Sequence, residues 1–522
     1  MLEDGRIVSD VFDHTSLLRF LETRFGTKAP NLTNEWWRTT VGDLISTLGQ
    51  RPTSRSVVRG VDTCGMADVA ALLAGAVGAE HVLIGDAIGD DYGHDEALTA
   101  VPETPAFVVR PADTAQTAAV LRIADEHRVA VTARGSGTGL SGAAVPRGDG
   151  IVVSFERMNE ILDIDLHNHV AVVQPGVTLE QLDEVTAAHG LVYPVFPGEY
   201  SASLGGNVAT NAGGMRAVKY GVTRHQVLGL EAVLAGGDVI RTGGKFVKAT
   251  TGYDLTQLII GSEGTLAFVT EAILKLYPRP EHQATVLAPF PALDHVTSAV
   301  PAIVAAGTGP LILEYIDQLT MAAITAHVGL DLGVPEDVKR RALAYLVVMM
   351  ENTHEDRLDE DVQALGEQLF DLGAIDVYVL PARAATQLIE AREKAFWVAK
   401  ANHADDIVDI VVPRSAIPEF MAKVAELGQT HQSLIAGCGH VGDGNVHLSV
   451  FQPDPEQRHK VMRGLFETGM ALGGAISGEH GIGKEKRRYF LELEDPVKVA
   501  LMRRIKTAFD PNGILNPGTI FD

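Results

Sequence analysis

The chain has 522 residues, 46% of them apolar and 21% charged, with 53 glycines, which describes compact globular domains rather than a disordered or fibrous chain. Its net charge of −24 argues against a nucleic-acid partner, because phosphate binding needs clustered Lys and Arg. Two cysteines, Cys64 and Cys438, form no CxxC, iron–sulfur or zinc pattern, which suits a reducing compartment without a disulfide framework.

Residues 1–26 carry Glu3, Asp4, Asp10, Asp13 and Glu22 and lack a continuous apolar core, so no secretion signal is expected. No run approaches a membrane span; the nearest, Tyr345–Met350, has the length of a buried strand. The expectation is a cytoplasmic protein, with a peripheral place at the membrane left open. Thr15-Ser16 caps a predicted helix whose Leu17, Leu18, Leu21 and Phe25 share one face, and Gly26 ends it. Residues 31–49 repeat the plan with Trp36, Trp37, Val41, Leu44 and Ile45, and residues 50–56 read as a linker. Residues 1–60 are therefore expected to be a helical N-terminal appendage. The order Phe12-Asp13-His14-Thr15-Ser16-Leu17-Leu18-Arg19-Phe20-Leu21-Glu22, with Trp37-Arg38 and Thr40-Val41-Gly42-Asp43-Leu44, resembles the C-terminal end of phospholipase C-type phosphoesterases. Without that family's metal site the segment is expected to be inactive.

From Met66 the pattern is α/β. A small-residue helix over 67–77 leads to short strands at 81–84 and 107–109, a helix over 114–127 and a strand over 129–133. Arg134-Gly135-Ser136-Gly137-Thr138-Gly139-Leu140-Ser141-Gly142 follows, with four glycines in eight residues. Such a stretch frees one side of the backbone, so successive N–H groups can converge on a pyrophosphate. Gly137, Gly139 and Gly142 also satisfy GxGxxG, a weak sign of a Rossmann unit by itself. Pro146 and the glycines at 148 and 150 break the chain where that unit needs a helix. Two more clusters follow: Pro197-Gly198 with Ser203-Leu204-Gly205-Gly206-Asn207, Asn211 and Gly213-Gly214, then Gly261-Ser262-Glu263-Gly264.

These three loops, Lys219-Tyr220-Gly221 between them and Ile514-Leu515-Asn516-Pro517-Gly518 resemble the FAD-linked oxidases of the vanillyl-alcohol oxidase type. More narrowly, they are similar to the branch that holds glycolate oxidase, D-lactate dehydrogenase and D-2-hydroxyglutarate dehydrogenase. The resemblance implies a two-subdomain FAD-binding domain over 61–280, an α/β cap over 281–460, and a segment over 461–522 returning to the FAD domain. It also implies that Arg134, Gly135, Ser136, Gly137, Thr138, Gly139 and Ser141 bind the pyrophosphate. Pro197, Gly198, Ser203, Gly205, Gly206, Asn207, Asn211, Gly213 and Gly214 would line the dinucleotide, with Glu263, Gly264 and Asn516 beside it. Covalent members carry a His or Cys near the first loop; residues 134–142 have neither, so the flavin is expected to be non-covalent.

In the cap, a helix is predicted over 384–400, with Arg392, Ala395, Phe396 and Ala399 on one face. The family motif gives Arg392 the substrate carboxylate, which suits a planar guanidinium. Ile407 stands where the D-2-hydroxyglutarate branch has a lysine for its distal carboxylate, which speaks against that substrate. Gly439-His440-Val441-Gly442-Asp443-Gly444-Asn445-Val446-His447 sets two imidazoles on the arms of a tight turn. With Glu479 they make a plausible three-ligand divalent-metal site, whether zinc, manganese or iron. The resemblance gives His440, His447 and Glu479 the metal, Asn445 the substrate, and His480 the role of base with a near-neutral pKa. The function expected is oxidation of a D-2-hydroxy acid, D-lactate or glycolate, to the 2-oxo acid by hydride transfer to FAD. A metallohydrolase using His440, His447 and Glu479, or a flavoprotein subunit active only in a complex, are the alternatives. The electron acceptor, whether a quinone, a carrier flavoprotein or a partner subunit, and assembly as a homo-oligomer stay open.

Overall fold

The computed structural model describes residues 63–521; the appendage expected over residues 1–60 lies outside them. Strands β1 (Val82–Ile84), β2 (Phe107–Val109), β3 (Val131–Arg134) and β4 (Ile151–Ser154) form the first sheet, in the order β1-β2-β4-β3. β2, β4 and β3 run parallel, and β1 is antiparallel at the edge. The helix Thr114–His127 joins β2 to β3; Asp113 caps it by accepting the Gln116 N–H, and Arg128 ends it in the left-handed region. Its Val120, Leu121 and Ala124 are buried with Val109, Val131, Ile151 and Val153. Every residue of β2 and β4 is buried, as expected of parallel strands covered on both faces. No helix interrupts residues 135–150, so the glycine-rich stretch is a loop at the carboxyl end of β3 and no Rossmann unit is built there.

The second sheet contains β5 (Ile161–Asp165) and β6 (Val170–Val173) and, beyond the short β7 (Leu191–Val192), β8 (Val227–Val233), β9 (Val239–Gly243) and β10 (Phe268–Lys275). It is antiparallel in the order β5-β6-β10-β8-β9, and β7 pairs separately with β11 (Tyr277–Pro278). The second glycine cluster, expected as a loop, folds in part as the helix Leu204–Thr210. Leu204 and Val208 are buried there, and Asn211 ends the helix at φ 58°, so two core anchors and a left-handed stop override the low helix propensity of its two glycines.

The cap is one antiparallel sheet of seven strands: β12 (His282–Phe290), β13 (Ile312–Asp317), β14 (Ala344–Asn352), β15 (Tyr378–Leu380), β16 (Asp406–Val411), β17 (Leu434–Gly439) and β18 (Asn445–Phe451), ordered β15-β12-β14-β13-β17-β18-β16. Helices Leu293–Ala305, Glu355–Asp371, Ile417–Thr430 and Pro455–Ala471 pack Val300, Leu365, Phe420 and Phe466 onto a core shared with Leu346, Val408, Ile410, Val446 and Leu448. A strand alternates its faces, so Asp409 and His447, between those apolar neighbours, point the other way. The single helix expected over 384–400 is corrected to two, Ala382–Glu393 and Ala395–Ala401, broken at Lys394 (φ −79°, ψ 3°). Arg392 therefore does not share a helix face with Ala395, Phe396 and Ala399.

The boundary expected at 460 cuts the helix Pro455–Ala471, and Val461, Phe466, Tyr489 and Phe490 belong to the cap core. Ile514 and Leu515 are what reaches the core of the first sheet, with Leu515 bridged parallel to Val131. Polar links join the FAD-binding part to the cap. Glu351 on β14 takes Lys219 at 2.9 Å and the Tyr220 hydroxyl at 2.7 Å, and Lys400 pairs with Glu96 at 2.7 Å. Among the described residues, no helix is long and apolar enough to cross a membrane.

Candidate active site

β17 and β18 pair antiparallel with Cys438 opposite His447, and the turn between them closes on the His440 carbonyl, which accepts the Asp443, Gly444 and Asn445 N–H groups. That returns the two imidazoles to each other, with centroids 4.7 Å apart. The Nε2 atoms of His440 and His447 each lie 3.2 Å from Glu479 Oε1. Two imidazole nitrogens and a carboxylate oxygen within 4.8 Å of one another fit a divalent ion with positions left open.

Behind His440 stands a residue that sequence reasoning missed. Glu314 on β13 is 0% exposed; its Oε1 lies 2.5 Å from His440 Nδ1, and its Oε2 accepts from Arg392 Nε at 2.8 Å. A buried carboxylate must be paired, and this one orients a histidine on one side and a guanidinium on the other. Burial opposes charge on His440, but Glu314 and Glu479 outweigh it and lift its pKa to about 10. Arg392 Nη2 also stands 2.8 Å from Glu314 Oε2, close enough for ion pairing but without the alignment of a hydrogen bond. Its N–H groups are therefore left for a ligand.

A second missed residue, Asp409, sits opposite His447 across β16 and β18 and is 0% exposed. It accepts the Ser477 hydroxyl and the N–H groups of Gly478, Glu479 and His480. Asp409, His447 and His480 also lie within reach of one cation, but these donors already occupy the carboxylate. His480 stacks on His447 with centroids 5.3 Å apart. Burial, with Lys486 and His447 nearby, lowers its pKa to about 4 against the pull of Asp409, so the expected near-neutral value is corrected downwards. Its buried Nδ1 has no hydrogen-bond partner among the described residues, nor has the buried Oδ1 of Asn445.

The glycine clusters meet one another. Ser136 donates its N–H to Ser203 Oγ at 3.3 Å and its hydroxyl to the Ser201 carbonyl at 2.6 Å. Gly214, at φ 115°, lies against Phe196 and Pro197; a Cβ there would stand 1.8 Å from the Phe196 oxygen, so only glycine fits. Asn207 is buried with its Nδ2 unpartnered, a donor waiting for an acceptor-rich group such as a dinucleotide. Several expected cofactor residues use their side chains on the protein instead. Arg134 folds back to donate to the His94 carbonyl at 2.7 Å. Glu263 accepts the Ile482 and Gly483 N–H groups at 2.8 and 2.7 Å, and Asn516 Nδ2 donates to the carbonyls of Ala143 and Glu263.

The glycine clusters and the His440, His447 and Glu479 group share a wall. A Cβ on Gly213 would lie 2.5 Å from Glu479 Oε2. A cavity of about 210 Å³ is lined by Gly213, Ala217 and His225 on one side and by Asn445, Gly478 and Glu479 on the other.

Residues 105–243 match the FAD binding domain family, and residues 279–520 match the C-terminal domain of FAD linked oxidases. The chain belongs to the FAD-linked oxidases and is an FAD-dependent oxidoreductase. It is 57% identical to an uncharacterized FAD-linked oxidoreductase of Mycobacterium tuberculosis, over 87% of this chain and 99% of that one. It is 36% identical to the D-lactate dehydrogenase of Anaerostipes hadrus, over 84% of this chain and 94% of that one. Among solved structures, p-cresol methylhydroxylase with substrate bound shares the fold at a TM-score of 0.74 and 18% identity, over 89% of this chain and 98% of that one. The matched families begin at residue 105, and the phosphoesterase resemblance of residues 1–60 gains no support.

Proposed function

We propose that the protein oxidises a small D-2-hydroxy acid, D-lactate or glycolate, to the 2-oxo acid, using non-covalent FAD and a divalent ion held by His440, His447 and Glu479. The observation that carries this is the close approach of Gly213 to the Glu479 carboxylate, which supports reading the glycine loops as a dinucleotide cradle set against a metal triad. The A. hadrus relative, a D-lactate dehydrogenase, supports the substrate class. When bound, FAD supplies a two-electron acceptor and the divalent ion a Lewis acid for the hydroxyl and carboxylate.

This chain's own residues bind and orient. Arg392, braced by Glu314, offers its Nη2 to the substrate carboxylate. Asn445 offers its unpartnered Oδ1 to the substrate. His480, held neutral, takes the hydroxyl proton on its imidazole. Electrons then leave to a quinone, a carrier flavoprotein or a partner subunit.

Anaerobic titration of the isolated protein with D- and L-2-hydroxy acids tests this. D-lactate or glycolate should bleach the flavin; no bleaching by any of them leaves a subunit active only in a complex. His480→Ala should retain FAD while flavin reduction slows by about 10²–10⁴-fold, read by stopped-flow absorbance. Colour that stayed with the denatured polypeptide would exclude non-covalent binding.

A further inference from the structure

We propose that Asp409 is the positioning residue of this site, one buried carboxylate that places Asn445, Glu479 and His480 together and thereby sets how tightly the triad takes up a divalent cation. The cation half of the proposal rests on the function proposed above; the placement half does not.

Each oxygen of Asp409 has a distinct job. Oδ2 accepts the Ser477 hydroxyl at 2.7 Å and the N–H groups of Gly478, Glu479 and His480 at 3.1, 3.1 and 2.8 Å. Three successive amides converging on one oxygen curl the backbone around it, as at a helix N-cap or an anion nest. The side chains they carry then radiate away from that centre. Glu479 reaches the two histidines, and His480 lies over the His447 ring at an interplanar angle of 19°.

Oδ1 accepts from Asn445 Nδ2 at 2.8 Å, while the same Nδ2 donates to the Ile410 carbonyl at 3.0 Å. Both neighbours can only accept, so chemistry fixes the orientation of the amide. Asn445 must present its oxygen, buried and unpartnered, as the free end of the group. Asn445 can then accept from a ligand or face a cation, but cannot donate. The third contact is electrostatic. Oδ1 stands 3.8 Å from His447 Nδ1, which favours the proton on that nitrogen and leaves the Nε2 lone pair on the Glu479 side.

The groups facing Asp409 from the other elements are His447 on β18, His480 and Lys486, whose Nζ lies 3.4 Å from Oδ2. Lys486 is 4% exposed, so the two buried charges balance each other. A lone substitution at Asp409 would leave the lysine uncompensated, a change that is strongly destabilising.

The experiment uses FAD-loaded, metal-stripped protein and measures Mn²⁺ and Zn²⁺ affinity by calorimetry, flavin content by absorbance and amide exchange by mass spectrometry. Asp409→Asn keeps the shape, and Asp409→Asn with Lys486→Met removes both charges in case the single variant does not fold. The expected result is ion affinity weakened by about 10–100-fold, with faster exchange over residues 477–480 and unchanged flavin content. Unchanged ion affinity in a folded, FAD-loaded variant overturns the proposal. Flavin loss in parallel with ion loss also overturns it, because that marks a general structural role. If the wild type takes up neither ion at millimolar concentration, the metal assignment falls and exchange alone decides: faster exchange at 477–480 supports placement by Asp409, and equal exchange refutes it.

Discussion

Arg392 shows how far a single side chain depends on its brace. Its Nε is committed to Glu314, so the guanidinium plane is fixed before a ligand arrives, while Nη2 keeps its hydrogen bonds unspent. A lysine has one point charge and cannot serve both partners. Arg392→Lys should therefore weaken substrate binding by about 1.5–3 kcal/mol, raising KM roughly 10–100-fold by the usual conversion, with the FAD spectrum intact. Glu263 gives a pH signature. Burial raises its carboxyl from the ordinary 4.5 to about 7, against the N–H groups of Ile482 and Gly483. The folded state thus holds a proton that the unfolded state releases, so this contribution is complete below about pH 4.5 and is lost as pH rises through 7. It amounts to about 3 kcal/mol. Thermal melts from pH 5 to pH 8 should fall more steeply for the wild type than for Glu263→Gln. Residues 440, 447, 479 and 480 were legible because glycines set them apart in a short motif. Glu314 and Asp409 were not, since each shares its strand with a second acidic residue, Asp317 and Asp406, and no period singles out the one that serves the site. Their signal was a charge inside a run that must be buried, which obliges a partner.

At the scale of elements, the glycine clusters were legible as places of close backbone approach, but not what approaches. Gly213 is bare because a carboxylate from far along the chain, that of Glu479, lies against it. Glu479 Oε1 is tied to both histidines, so the carboxylate has little freedom to yield. Gly213→Ala should therefore weaken divalent-ion uptake as well as FAD retention, a joint loss readable by calorimetry and absorbance. The helix break at Lys394 was invisible in the sequence because residues 384–400 contain no Gly or Pro. A tertiary demand overrides local propensity there, with Arg392 drawn under the sheet to Glu314. The helix over Leu204–Thr210 is the converse case, in which buried Leu204 and Val208 impose order on glycines.

Across the whole molecule, the strand–helix–strand opening followed from periodicity and turn residues, whereas the cap was expected only as an α/β domain implied by the family resemblance, without its antiparallel order. The point where the cap ends was not legible, because helices 455–471 and 487–493 pack back onto it through long-range apolar contacts. The proposed function depends on holding cap and FAD-binding part together, since the cavity takes a wall from each. Glu351, with its side chain 4% exposed, is one such fastening, tied to Lys219 and Tyr220. Glu351→Ala should lower stability by about 1–3 kcal/mol and slow substrate-driven bleaching, checked by denaturant titration and stopped-flow.

The parallel bridge from Val131 to Leu515 bears on how the protein is made. Val131 exchanges backbone bonds with Ile514 and Asn516 at 2.8 and 2.7 Å, so the edge of the first sheet, from which the Arg134–Gly142 loop springs, is finished by residues almost four hundred positions later. During synthesis that edge stays open until residue 516 has left the ribosome. Most of the chain is thus translated before the loop's supporting strand gains its neighbour, and ribosome-bound chains stalled short of that point should carry an exposed β3 edge.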